Sequence, residues 1–260
     1  MVIFNTSSPF FKLLNSEPMK LFRFNNSLLY VGVILLTACG SGGSETAKDS
    51  TATADTTTKA PPPSTIVTTP QNMVVIYHKV ADYAKWLASY EGHDSARMAA
   101  GLHNYVIGRG LSDSNMVMVA LRSDDTTKAM AFAKDPGLKA AMKKGGVVGA
   151  PMISFVTETW QDTGKTDILL RARSALTVKD WDVFLKAFQE GKQERMDNGL
   201  IDRVIGHDAD DTKKVTLVAA IADSAKAFAY YKSDALKKRR EASGVVGEPV
   251  RFFYRIVKHY

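Results

Sequence analysis

Arg97-Met98-Ala99-Ala100-Gly101-Leu102-His103-Asn104-Tyr105-Val106-Ile107-Gly108 returns 98 positions later as Arg195-Met196-Asp197-Asn198-Gly199-Leu200-Ile201-Asp202-Arg203-Val204-Ile205-Gly206. The register holds outward in both directions without a gap, so that residues 80–155 repeat as 178–253 with about a third of the positions identical. Toward the N-terminus Val80, Asp82 and Leu87 answer Val178, Asp180 and Leu185. Toward the C-terminus Lys128-Ala129 answers Lys226-Ala227, and Gly146-Val147-Val148-Gly149 with Pro151 answers Gly244-Val245-Val246-Gly247 with Pro249. A period near a hundred residues is too long for a solenoid unit, so each copy is a small domain. A domain of roughly ninety residues buries only about 60–65% of its unfolded surface. Two copies that share an interface gain burial that neither reaches alone, and pairing within the chain is expected.

Within copy one, the β-rich run Met73–His78 predicts a strand, and Asp82 is placed to cap a helix whose apolar face carries Tyr83, Leu87, Tyr90 and Met98. Gly101 ends that helix, Tyr105–Gly108 and Met116–Leu121 predict a hairpin joined by 111–115, and Thr126–Lys134 predicts a second helix. Pro151–Val156 supplies the last strand. The order β-α-β-β-α-β is the ferredoxin-like split unit, and copy two repeats it, with Ser174–Thr177 read as an insertion between strand and helix. Helices cover one face of such a sheet and leave the other apolar and bare. A bare sheet face needs a partner. The fold class is therefore α+β: two tandem ferredoxin-like βαββαβ repeats pairing as an intramolecular pseudo-dimeric α/β barrel.

His78-Lys79-Val80-Ala81-Asp82-Tyr83-Ala84-Lys85-Trp86, the Arg97–Leu102 helix end, Asp135-Pro136-Gly137-Leu138-Lys139 and the Gly-Val-Val-Gly-x-Pro turn together resemble the dimeric α/β-barrel superfamily that includes antibiotic-biosynthesis-monooxygenase-like domains. The resemblance spans about 73–160 and 167–258, and its motifs are turns and core positions. It implies sheets paired into a barrel with helices outside, both halves here coming from one chain. Haem-degrading relatives use an asparagine, a tryptophan and a histidine round the porphyrin, and that trio maps onto neither repeat.

The N-terminal part reads differently. Lys20 and Arg23 precede the apolar run Leu28–Leu36, and Leu36-Thr37-Ala38-Cys39 has the form of a lipoprotein cleavage box. The run is too short for a bilayer about 30 Å thick. Residues 1–39 thus read as a lipoprotein signal peptide with translation starting at Met19, and lipidation at Cys39 as the membrane anchor; the fatty chain is of the palmitate type. Two or three acyl chains at about 0.8 kcal/mol per buried methylene outweigh surface electrostatics. Gly40 after the cysteine points to the outer membrane of the cell envelope rather than the inner. Residues 40–71, rich in Ser, Thr and Pro, read as a disordered tether, leaving 72–160 and 167–260 as the two barrel repeats.

Cys39 is the single cysteine, so no disulfide framework is possible. The formal charge of +7 is interspersed with carboxylates, and the one dense basic run, Lys237-Lys238-Arg239-Arg240, reads as a solvated helix face, so no nucleic-acid partner is expected. The five histidines never fall at metal-ligand spacing, and neither a phosphate-binding loop nor a nucleophile elbow occurs, so no metal and no cofactor are expected. Strand alternation aims Val75, Tyr77 and Lys79 into the barrel, with Leu169, Arg171 and Arg173 in copy two. It likewise aims Tyr105, Ile107 and Arg109 inward, matched by Arg203, Ile205 and His207. Tyr77, Lys79, Arg109, Arg171, Arg173, Arg203 and His207 are thus the candidate ligand-binding residues, suited to a small anionic, partly apolar ligand. Arg97 and Arg195 read as structural caps. The expected role is small-molecule binding or envelope scaffolding. The alternative is a cofactor-independent monooxygenase acting on such a ligand.

Overall fold

The computed structural model describes residues 64–260. The segment read as a signal peptide, with Met19 and Cys39, and most of the segment read as a tether lie outside the described residues. Short β1 (Ile66–Val67) precedes repeat one, which runs β2 (Gln71–Val80), α1 (Tyr83–Glu91), α2 (Asp94–Ala99), β3 (Leu102–Gly110), β4 (Met116–Ser123), α3 (Thr126–Phe132), α4 (Pro136–Lys144) and β5 (Val147–Asp162). Repeat two runs β6 (Leu170–Val178), α5 (Trp181–Glu190), α6 (Lys192–Asp197), β7 (Leu200–Asp208), β8 (Asp211–Ile221), α7 (Ser224–Tyr231), α8 (Asp234–Ala242) and β9 (Val245–His259). Residues 66–67 and 71, within the stretch read as tether, are strand, so the folded part begins earlier than expected. Residues 174–177 are not an insertion either: they are the second half of β6, paired with β8.

Local chemistry sets the helix starts. Asp82, Asp125, Asp135, Asp180 and Asp223 each accept a backbone N–H in the first turn of the helix that follows, satisfying donors that have no partner within the helix. Gly101 and Gly199 take φ of 69° and 72°, the left-handed conformation in which a β-carbon is disfavoured, and turn the chain from helix into β3 and β7.

The nine strands among the described residues form one sheet in the order β1-β5-β2-β4-β3-β9-β6-β8-β7, and β5 also pairs with β7, which closes it into a barrel. Closure depends on the two long last strands. The first part of β5 pairs with β2 of its own repeat, and 156–161 cross to β7 of the other. In the same way β9 pairs with β6 and then, from 254 to 259, with β3. The seams are equivalent residue for residue: Ile107 faces Lys258 and Gly108 faces Ile256, as Ile205 faces Trp160 and Gly206 faces Glu158. Glycine is required at this crossing. A β-carbon on Gly206 would collide with the Thr157 carbonyl oxygen, and one on Gly108 would collide with the Tyr254 ring. Crossing strands also explain why β5 and β9 run well past the short segments expected from sequence.

The barrel separates the apolar side chains into an inside and an outside. Met73, Val75, Met116, Met118, Val156, Phe252, Tyr254 and Ile256 form the interior cluster. Val74, Trp86, Ile107, Val117, Val119 and Leu121 pack outward under the helices of repeat one, and Val178, Phe184, Ile205 and Val215 do so in repeat two.

Arg97 and Arg195 are structural, as expected, but their carbonyl partner lies at the end of the preceding helix. Buried Arg97 donates to the Tyr90 carbonyl at 2.6 Å and lies 3.7 Å over the Tyr90 ring; Arg195 donates to the Phe188 carbonyl at 2.7 Å and lies 3.6 Å over the Phe188 ring. Their counter-charges differ. Arg195 is held by both oxygens of Asp202 at 2.8 and 2.7 Å, whereas Arg97 meets Asn104 at the same strand position and takes its charge from Asp94 on α2 at 3.0 Å. The counterpart of Asp94 is Lys192. The acidic group has moved from helix to strand between the repeats while the arginine stayed in place.

Candidate functional site

Polar side chains gather in the barrel interior at the end where β5, β6, β7 and β9 meet. A cavity of about 80 Å³ lies there, walled by Val75, Met118, Ala120 and Ile256 on one side and by Arg171, Arg173, Arg203 and Glu158 on the other. The first strands of the two repeats differ here: repeat one supplies Met73 and Val75 where repeat two supplies Arg171 and Arg173, so the interior of the pseudo-symmetric barrel is apolar along β2 and cationic along β6.

Arg173, 8% exposed, donates to the Tyr77 hydroxyl at 2.9 Å and to Thr216 Oγ1 at 3.1 Å. Arg171, 4% exposed, spends one nitrogen on the carbonyls of Ile168 and Leu170. Arg203 is paired with Asp162 at 3.0 Å and donates to the Gly164 carbonyl at 2.5 Å. Glu158 is 7% exposed and its Oε2 has no hydrogen-bond partner. Burial pushes its carboxyl up to about 7 even though Arg173 and Arg122 pull the other way. At the mouth the His259 ring is held below its usual range, first by burial and then by the positive charge of Arg171 and Arg203. The Arg171 guanidinium is itself lowered, by burial and by Arg203. With Glu158 partly neutral, two interior arginines and Arg203 face only Asp162, and the cavity carries an excess of positive charge.

Of the seven expected ligand-binding residues, Tyr77, Arg171, Arg173 and Arg203 are brought together in the interior, and three are not. Lys79 is at the end of β2, half exposed and ion-paired with Asp113 at 2.9 Å. Arg109 lies outside the barrel, donating to the Ser114 carbonyl at 2.6 Å with its guanidinium 4.2 Å over the Tyr83 ring. His207 also lies outside, edge-on to Trp181 at 5.0 Å. For Arg109 and His207 the cause is a β-bulge at equivalent places, between Asn104 and Val106 in β3 and between Asp202 and Val204 in β7. A bulge inserts one residue and reverses the alternation beyond it. Tyr105 and Val106 therefore both border the interior, while Ile107 and Arg109, like Ile205 and His207, turn outward. Sequence reasoning missed Glu158, Thr216, Gln161 and His259. Glu158 shares one face of β5 with Met152 and Val156, and alternation carried along that strand is the signal that reaches it.

A second kind of void lies outside the barrel, beneath the helices, at about 60 Å³ in repeat one and 90 Å³ in repeat two. Both are lined mainly by apolar side chains. His78 borders the first, its ring tilted 53° against Trp86 at 5.3 Å, with both ring nitrogens lacking a hydrogen-bond partner. Burial lowers its pKa to about 4.

No family model matches the sequence, and no curated protein matches it. Solved structures do match its fold. An anthrone oxidase-like protein aligns at a TM-score of 0.51 and 15% identity over 75% of this chain and 95% of its own. A candidate monooxygenase from Fusobacterium nucleatum aligns at 0.50 and 12% identity over 73% of this chain and 93% of its own. At such identity the likeness establishes the fold: a ferredoxin-like dimeric α/β barrel, here closed within a single chain.

Proposed function

We propose that this chain is a lipid-anchored envelope protein whose barrel binds a small anion with a short apolar part. The observation that carries the binding reading is the convergence of Arg171, Arg173 and Arg203 with an unpartnered Glu158 on one cavity. At about 30 Å³ per water of liquid, a cavity of about 80 Å³ holds roughly two to three waters, and a carboxylate of two or three carbons matches it in size. Arginine presents a planar fork to a carboxylate, the Val75 and Met118 wall takes the alkyl part, and Glu158 in its protonated form donates to the ligand's second oxygen. The expected result is that propionate raises the melting temperature of the protein while propionamide does not. A ligand at a hundredfold its Kd stabilises by about 2.7 kcal/mol. Arg171→Gln should abolish the propionate effect, and equal shifts from acid and amide would overturn the reading.

The anchor rests on the Leu36-Thr37-Ala38-Cys39 box. Cells fed labelled palmitate should label this protein, and Cys39→Ser should remove the label and release the chain from the outer-membrane fraction. A soluble, unlabelled wild-type chain would end the anchored reading.

Glu158 also favours a second reading, in which the barrel is a cofactor-independent, monooxygenase-like enzyme. A buried carboxyl titrating near neutrality beside a cavity is placed to take a proton from a bound acidic carbon or phenol. Under that reading Glu158→Gln would abolish turnover and leave propionate binding intact.

A further inference from the structure

The two repeats correspond position by position, and the surface beside their first helices is covered differently in the two. In repeat one the surface between α1 and the β3–β9 seam is covered by the end of the chain. The Tyr260 backbone N–H donates to the Tyr105 carbonyl at 3.1 Å, Lys258 Nζ lies 4.6 Å over the Tyr260 ring, and Lys258 is ion-paired with Glu91. The Tyr260 phenol lies within electrostatic reach of Arg97, Tyr83 and Tyr90.

In repeat two the same positions are uncovered. Trp181, Phe188, Gln189 and Arg195, the counterparts of Tyr83, Tyr90, Glu91 and Arg97, line a groove of about 340 Å³, and Trp160, the counterpart of Lys258, also lines it. The residue equivalent to Tyr260 is Asp162, which is turned away to Arg203 and to Thr65 because the chain continues from it into the link between repeats. Among the described residues Thr68 also borders this groove, and no tyrosine stands at the position that Tyr260 takes in repeat one.

The chemistry of the rim has changed with it. Glu91 and Asp94 of repeat one become Gln189 and Lys192, both at the groove; Asp202 also lines it but is held by Arg195 at 2.7 Å, so the exposed edge is neutral and cationic where that of repeat one is acidic. Lys192 is exposed and has no ion-pair partner among the described residues. Two tryptophans line the groove beside the Phe188 ring, which the Arg195 guanidinium covers on one side, and Lys192 supplies a charge at its edge. We infer that this groove is a binding site for a small aromatic acid, one ring bearing a carboxylate, seated as Tyr260 is seated in repeat one with its charge on Lys192. It is separate from the barrel cavity and goes beyond the function proposed above.

The test uses the full chain in detergent, with 4-hydroxyphenylacetate as the probe and 4-methylphenol as its uncharged control, read by tryptophan fluorescence. Two of the three tryptophans line the groove, and the third, Trp86, is buried beneath the helices of repeat one. The acid should give a saturable change that Trp181→Ala abolishes. In Lys192→Asp its affinity should fall about tenfold, a difference of about 1.4 kcal/mol, while 4-methylphenol binds both proteins alike. Arg203→Gln, which alters the barrel cavity, should leave the affinity unchanged. The inference is overturned if the wild-type protein gives no saturable change, if Lys192→Asp binds the acid as tightly as wild type does, or if Arg203→Gln rather than Lys192→Asp abolishes the signal. Far-UV circular dichroism on each variant verifies that an altered signal is not an unfolded protein.

Discussion

Arg195→Ala should cost about 3–5 kcal/mol of folding stability, the expected effect of removing one partner of a buried ion pair. Asp202, whose side chain is 9% exposed in the intact pair, would lose its counter-charge, and the Phe188 carbonyl at the end of α5 would lose its donor. Since a folded domain typically holds about 5–15 kcal/mol in total, the loss is a large share of it, and the midpoint of urea denaturation should move sharply downward. Repeat one indicates how to rescue the site. Asp202→Asn alone should destabilise by stripping the buried arginine of its charge partner, and adding Lys192→Asp should recover most of that loss, because Asn104 with Asp94 already holds Arg97 in this way. If Arg195→Ala unfolds at the wild-type midpoint, the arginine network contributes nothing to stability.

Two buried groups should make stability depend on pH in opposite directions. Glu158 is raised from an ordinary 4.5 to about 7, so between those values the unfolded chain has released a proton that the folded chain retains. Its contribution is full below about 4.5 and is lost as pH rises through 7. His78 is lowered from 6.5 to about 4, so its contribution is full above 6.5 and is lost as pH falls through 4. Each amounts to about 3 kcal/mol over its range, since stability changes by about 1.4 kcal/mol for every pH unit across which folded and unfolded chains differ by one proton. Where the two ranges overlap, roughly pH 4.5–6.5, the slopes cancel, and these groups leave wild-type stability flat. Single variants should expose what the pair conceals. Glu158→Gln should be more stable than wild type above pH 7 and should weaken steadily as pH falls below 6.5; His78→Leu should instead weaken as pH rises from 4.5 to 7. Denaturation midpoints of the three proteins across pH 4–8 check this. Parallel curves for Glu158→Gln and wild type would mean that Arg173 and Arg122 keep the Glu158 carboxylate ionised.

The fold was legible because its signals are local or repeated. Asp82 and Asp180 sit where a helix needs an acceptor, Gly101 and Gly199 sit where the chain must turn with positive φ, and their recurrence at one register implied two units with a face to share. Alternation along β2 and β6 correctly separated Tyr77, Arg171 and Arg173 from the residues under the helices, since nothing interrupts the pleat between them. The candidate site was legible only that far. Arg109 and His207 were assigned to the interior by the same alternation and lie outside, because a bulge in β3 and β7 reverses the pleat without leaving a mark in composition. Glu158 went unread because β5 continues past its own repeat, and whether a carboxyl there is solvated or buried depends on a strand about fifty residues away. The sequence by itself determined the elements, their caps and the pairing of two repeats, which short-range hydrogen bonding and periodic burial dictate. The cationic β6 side of the barrel interior, the neutralised Glu158 and the open counterpart of the Tyr260 site were decided by tertiary structure, because burial, electric field and surface grooves arise only when distant strands close on one another.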